Sequence, residues 1–231
     1  MNEGLFLALP ASSRLFIGGG GGIERVGALG ESVDRSLRST PWSDDDRELL
    51  LGPGLVLALA LQGTWCLHAS AAVRDGAVVA FLGESGVGKS TLAAHLGGCL
   101  QDGWHLVADD ILPVTAGEDG AWDWPRFPQR KLSPESQPGP VLPERLPLAL
   151  VCDLLPAAPE AAPFAERLPE AAAATVLLRQ TAGARLFDAE LLEAHLAFGA
   201  ELAARVPVYR LAVPRRLEAL PAVREAIERL L

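Results

Sequence analysis

The stretch Gly83-Glu84-Ser85-Gly86-Val87-Gly88-Lys89-Ser90, followed by Thr91, fits the pattern G-x-x-x-x-G-K-[ST]. The chemistry of that pattern is phosphate binding. Its glycines let the backbone curl until successive N–H groups point inward around an anion, and a helix starting at the end of the loop adds its positive dipole end. Lys89 supplies a positive charge for β- and γ-phosphates, and the Ser90 hydroxyl is placed to ligate Mg²⁺. The same residues do not make a hydrolase nucleophile elbow, because G-x-S-x-G requires glycine where Val87 stands.

Asp109 and Asp110 follow Ser90 by 19 and 20 residues, after the apolar run His105 to Ala108. We expect them at the carboxyl end of a short buried strand, where open α/β sheets place groups that face a ligand. One carboxylate is enough to hold a metal shell; a second beside it can accept a proton from an attacking hydroxyl. The plainer alternative is a metal-holding Asp followed by a solvated or capping one.

Other candidates carry less. His95 and Cys99 stand at i and i+4, but no further ligands accompany them and a structural zinc site needs four. His195, between Leu191 and Phe198, reads as a structural histidine on a helix face. Trp122 and Trp124 alternate on an expected hairpin and read as packing. Arg126, Arg130 and Lys131 put three cations into one short stretch. They either clamp a phosphate or peptide carboxylate or face water.

The elements around these residues follow from the apolar pattern. Val78 to Leu82 is unbroken, as in a strand buried on both faces. Before it lies TWCLHASAAV, joined through Arg74-Asp75-Gly76, a hairpin signal. After the glycine loop, Leu92, Leu96, Cys99 and Leu100 fall on one face of a helix starting near Lys89. Ile111 to Val114 is expected as a further strand, with a turn at Glu118-Asp119-Gly120. Leu148 to Leu155 and Val208 to Val213 read as strands, and Pro156 to Pro169 as a surface connection. Helices are expected at Glu170 to Gln180, at Asp188 to Arg205 and from Pro221 onward. Towards the start, Leu5 to Leu9 and Leu15 to Ile17 read as short strands around a loop at Gly18 to Gly22. Ser43-Asp44-Asp45-Asp46 caps a short helix into Leu51, and another helix runs from Gly54 to Gln62. The fold class is therefore α/β, a mixed sheet flanked by helices. A small N-terminal β/α segment, 1–62, precedes a nucleotide-binding core at 63–231.

The whole chain has 231 residues and a net charge of −9, which argues against a nucleic-acid partner, whose phosphates demand a basic face. Its longest apolar run, Leu49 to Leu61, spans 13 residues and is broken by Gly52-Pro53-Gly54. A membrane span needs about 20. The opening MNEGLFLALP has no basic region before an apolar one, and the odd set Cys66, Cys99 and Cys152 contains no CxxC pair. A cytoplasmic, membrane-free protein with reduced thiols is expected.

The segment LHASAAVRDGAVVAFLGESGVGKSTLAAHLGGCLQDGWHLVADDILPV, from Leu67 to Val114, resembles the catalytic core of HPr kinase/phosphorylase. In that family a His-bearing strand, a P-loop and a Val-Ala-Asp-Asp strand follow one another. The C-terminal PVYRLAVPRRLEALPAVREAIERLL is similar to short, stand-alone HPr-kinase-like proteins of peptide-modification systems, including lasso-peptide kinases. The resemblance implies a P-loop core of the HPr kinase type and an ATP- and Mg²⁺-dependent kinase acting on a serine of a small protein or ribosomal peptide. It implies Asp110 as general base, Asp109 and Ser90 in the metal shell, and His68 as a polar partner near the reacting phosphoryl group. Lys89 keeps its generic role. Homo-oligomers are also implied. The family's later Arg-Leu-Glu-Leu-Arg-Gly-Leu-Gly-like signature is not found here, which points away from HPr itself and from reverse phosphorolysis. Two other readings share the motifs: a P-loop kinase of a small hydroxylated metabolite, and an ATP-binding switch that transfers nothing.

Overall fold

The computed structural model describes residues 52, 54–125 and 142–231, together with the backbone of 15–19 and 22–26. The expected strand at Leu5 to Leu9, the helix following Ser43 and the cations Arg126, Arg130 and Lys131 lie outside the described residues. Two units divide the chain: Met1–Trp65 with Gly183–Ala194, and Cys66–Ala182 with His195–Leu231.

In the first unit, β1 (Leu15–Gly19) and β2 (Gly22–Val26) form an antiparallel hairpin whose register runs from Leu15↔Val26 to Gly19↔Gly22. Gly18, Gly19 and Gly22, expected in a loop, are thus strand residues. A short helix, α1 (Leu55–Ala60), buries Val56, Ala58 and Ala60. Trp65 meets Phe187 edge to face, with ring centroids 5.6 Å apart.

The second unit is built on a mixed sheet. Its first hairpin pairs β3 (Trp65–Arg74) with β4 (Ala77–Leu82), and Arg74 pairs with Ala77. Asp75 and Gly76 both take positive φ, 51° and 79°, as a two-residue hairpin turn requires. After β4 comes the glycine-rich loop, then α2 (Lys89–Gly97). The helix stops there, so Cys99 and Leu100 are not on its face. They lie at a 3-10 turn over Leu100–Asp102, and Leu100 is half exposed. The reason is local: Gly97-Gly98 makes a poor helical continuation. Gly97 also lies so close to Leu106 that a β-carbon would sit 2.7 Å from the Leu106 Cβ.

β5 (Trp104–Gly117) runs for 14 residues straight through Asp109-Asp110. This corrects two expectations at once: the aspartates are not at a strand end, and Ile111 to Val114 is not a separate strand. β6 (Gly120–Asp123) returns antiparallel, with Gly117 opposite Gly120. β7 (Leu146–Ala157) pairs in parallel with β4 and with β9 (Val208–Pro214). The expected surface connection at Pro156 to Pro169 contains one further edge strand, β8 (Phe164–Arg167), which pairs antiparallel with β9. Its residues are mostly exposed, so no apolar alternation marks it. The order is β4-β3-β5-β6-β7-β9-β8, and the β4–β7 pairing closes a circuit through five of the strands.

Three helices complete the described chain: α3 (Glu170–Arg179), α4 (Ala189–Arg205) and α5 (Leu220–Glu228). One face of the sheet presents Val79 and Phe81, then Leu150, Cys152 and Leu154, then Leu211 and Val213. These alternate residues pack with Leu92, Ala93 and Leu96 of α2 and with Val223 and Ile227 of α5. Burying a leucine or valine of this kind stabilises the fold by about 1.5–3 kcal/mol. Trp104, fully buried in that core, donates from Nε1 to Glu228 at 3.0 Å, and Arg74 lies over its ring.

Candidate functional site

The C-terminal end of β4 delivers the chain into the loop at Gly83, and the loop's shape depends on glycine. Gly83, Gly86 and Gly88 have φ of 132°, 78° and 109°, values that L side chains rarely adopt. At Gly83 space is also closed, because a β-carbon would sit 2.8 Å from the Leu154 carbonyl oxygen. Lys89, the first residue of α2, folds back over this curve. Its buried Nζ donates to the carbonyl oxygens of Gly83 at 2.7 Å and Glu84 at 3.3 Å.

A cleft of about 230 Å³ opens beside the loop. It is lined by Ser85, Gly86, Gly88, Lys89, Ser90 and Thr91 from the loop and helix, and by His68, Ser70 and Asp110 from β3 and β5. The cleft therefore joins three separate stretches singled out from sequence. Of the remaining loop residues, Val87 packs against the core, and Gly83 and Glu84 line a second cleft.

His68 and Ser70 stand two residues apart on β3 and so share a face. His68 Nε2 lies 3.3 Å from Asp110 Oδ1, and Ser70 donates its hydroxyl hydrogen to Asp109 Oδ1 at 2.8 Å. In a regular strand, neighbouring aspartates point to opposite faces. Here both reach side chains on one face of β3, and the backbone accounts for it: Asp110 has φ 118°, one of two positive-φ non-glycine residues among those described. Such a conformation costs about 1–3 kcal/mol and persists where surrounding structure holds it. Asp109 stands beside the cleft through Ser70 and does not line it.

The strand carrying His68 is held from a second side. His68 N–H donates to the Gln180 carbonyl at 2.7 Å, and Ala182 N–H donates to the Cys66 carbonyl at 2.7 Å. Thr181, between them, donates its hydroxyl to the Leu177 carbonyl and sits 2.8 Å from His195 Nε2. His195 is buried, and that burial lowers its pKa. It is structural, as its sequence neighbours suggested.

Ser90 and Asp110, lining one cleft, offer a hydroxyl and a carboxylate, the hard oxygen donors that Mg²⁺ takes. Asp109 adds a third oxygen donor beside them. The donor chemistry fits that ion, which keeps several waters and needs only one or two carboxylates plus substrate phosphates. Among the described residues no group of three His, Cys, Asp or Glu side chains converges as a metal site, and Cys99 gives its Sγ–H to the His95 backbone carbonyl at 3.3 Å. Cys66 and Cys152 are buried, and burial pushes both thiols up to about 12, so neither supplies a thiolate nucleophile near neutrality.

Sequence reasoning missed Ser70, although its place two residues from His68 on a strand was a usable signal. It also missed Asp153, Arg179 and Arg210 around the second cleft, which come together only in the fold. Trp122 packs under Arg145, whose guanidinium lies 4.4 Å from the ring centroid.

No family model and no curated protein matches the chain. Among solved structures, the fold is similar to that of an Hpr(Ser) kinase/phosphatase from Coxiella burnetii, with a TM-score of 0.40 and 17% sequence identity. That alignment covers 71% of this chain and 92% of the other. No described helix is long and apolar enough to cross a membrane.

Proposed function

We propose that this protein is an ATP-dependent kinase that transfers the γ-phosphate to a serine hydroxyl of a small protein or peptide. The observation that carries the reading is the convergence of Lys89, Ser90, His68 and Asp110 on one cleft from the loop, α2, β3 and β5. A nucleotide-binding switch needs the loop and a metal carboxylate; a strained second aspartate paired with a histidine goes beyond that need. The resemblance of Leu67 to Val114 to HPr kinase/phosphorylase supports the same assignment of roles.

In this reading the loop N–H groups hold the β- and γ-phosphates, and Lys89 exchanges its carbonyl partners for phosphate oxygens. Ser90 and Asp109 would hold Mg²⁺, which would neutralise phosphate charge when bound, and the Asp110 carboxylate is left for proton transfer. His68 holds the Asp110 carboxylate in place through Nε2. Asp110 takes the proton as the acceptor O–H bond breaks. The acceptor oxygen bonds to the γ-phosphorus, and the bond from that phosphorus to the β–γ bridging oxygen breaks, leaving ADP. Ser70 fixes Asp109 beside the site. Because the chain carries a net −9, attraction for a polyanion has to be concentrated in these few groups.

The test is incubation of the full chain with γ-labelled ATP and Mg²⁺ alongside serine peptides, small proteins and hydroxylated metabolites, with mass spectrometry of the products. A phosphate mass shift on a peptide or protein serine is expected. Label appearing only as inorganic phosphate would count for the switch, and label on a metabolite for the metabolite kinase.

A further inference from the structure

A second cleft, of about 150 Å³, lies where β4 ends and β7 and β9 run alongside it. Its volume suits a single side chain. Asp153 and Arg210 are register partners on β7 and β9, and Asp153 stands opposite Leu82, the last residue of β4. Since Leu150, Cys152 and Leu154 face α2 and α5, the alternate residue Asp153 points to the other face of the sheet. On that face Arg179 and Gln180, at the end of α3, join it, and Glu84 closes the side nearest the loop.

Four charged groups share the cleft. Two guanidinium groups arrive from separate elements, against Glu84 and Asp153. Arg179 already meets a carboxylate, that of the exposed Glu84, through one contact from Nη2 to Oε1 at 3.3 Å, so a guanidinium at this cleft is placed to pair with such a group. Asp153 is kept towards its neutral form, mainly by burial, with Glu84 adding to the effect and Arg210 and Arg179 opposing it. Arg210 stands in register with Asp153 on the neighbouring strand, and the carboxylate that Arg179 meets is exposed and free to be displaced. The cleft is also tied to the first one. Gly83 and Glu84 belong to the loop whose later residues line the first cleft, and Gln180 holds the backbone of His68.

We infer that this second cleft is a carboxylate subsite for the phosphoryl acceptor, in which Arg179 and Arg210 bind an acidic group close to the serine hydroxyl. The inference rests on the kinase reading and names a feature of its substrate: an acidic side chain or terminal carboxylate beside the serine. Glu84 occupies Arg179 until the acceptor arrives and then yields to it, which its exposed position permits.

The experiment measures binding and needs no phosphoryl transfer. Two fluorescein-labelled heptapeptides, identical except for Glu or Gln next to the single serine, are titrated with the full chain in the presence of Mg²⁺ and a non-hydrolysable ATP analogue. Fluorescence anisotropy is expected to give a Kd about two- to fivefold tighter for the Glu peptide, as pairing with exposed arginines warrants. Arg179→Gln and Arg210→Gln each shrink that ratio towards one, and the lysine replacements keep part of it. Because both peptides are compared on the same variant, general damage to the fold cancels in the ratio. Equal binding of the two peptides, no binding of either, or a preference that survives both glutamine substitutions overturns the inference. If the Glu preference holds but ATP yields no phosphopeptide, the kinase reading fails, and what stands is carboxylate binding by Arg179 and Arg210 without an acceptor role.

Discussion

Replacing Asp110 by glycine and, separately, by alanine isolates the backbone from the carboxylate. Both variants lose the contact with His68 equally, so their difference reports only the conformation at this position. At φ 118° a residue with a β-carbon costs about 1–3 kcal/mol. Glycine avoids that strain but brings an entropic cost of about 0.5–1 kcal/mol on folding. From the middle of each range, glycine should leave the protein more stable than alanine by about 1.2 kcal/mol. For a chain of this size each kcal/mol moves the melting temperature by about 2–4 °C. Thermal melts followed by circular dichroism should place the glycine variant about 2–5 °C above the alanine variant. An alanine variant that melts at or above the glycine variant would refute the idea that β5 is strained in order to bring both aspartates to one face.

Three further outcomes follow from specific contacts. Asp123 is wholly buried at the end of β6, and burial raises its pKa from 3.8 to about 8. A carboxyl raised in the folded state stabilises most below its unfolded pKa, so that contribution declines as pH rises from about 4 to about 8, by up to about 1.4 kcal/mol per unit. Asp123→Asn should flatten the dependence of urea midpoint on pH across that window; an unchanged slope would show that this carboxyl is not responsible. Gly83→Ala combines positive φ with a 2.8 Å approach to the Leu154 oxygen, whereas Gly86→Ala meets nothing within 4 Å and bears only the backbone strain. The first should lose more stability in denaturant melts than the second, and equal losses would discount the close approach. Lys89→Met removes the donor to the Gly83 and Glu84 carbonyls and should weaken nucleotide binding by at least tenfold in calorimetry; wild-type affinity would deny Lys89 a role in holding phosphate.

What was legible in the sequence was local. Asp75-Gly76 announces its own turn through the φ values it can adopt, and the glycine loop announces its curve in the same way. The buried run at Val78 to Leu82 needed no partner to be read as a strand. The aspartate pair was misplaced because two adjacent carboxylates normally mark a solvated strand end. Here β5 carries them through its middle, and the contacts from His68 and Ser70 on β3 were invisible to a local pattern. The edge strand at Phe164–Arg167 was missed for want of buried alternation. The second cleft was hidden by distance: Arg179 stands 95 residues from Glu84, and no periodicity connects them.

The central claim is that Asp110 takes a proton from the acceptor while the loop and Lys89 hold the nucleotide. Its most direct test pairs two measurements on Asp110→Asn: nucleotide affinity by calorimetry, and single-turnover transfer from γ-labelled ATP to an acceptor serine. The predicted result is affinity within about threefold of wild type, which is under about 0.7 kcal/mol, with transfer reduced by at least the 10²–10⁴-fold that general base catalysis contributes. Transfer at the wild-type rate would contradict the account, because the strained aspartate would then have no part in the chemistry.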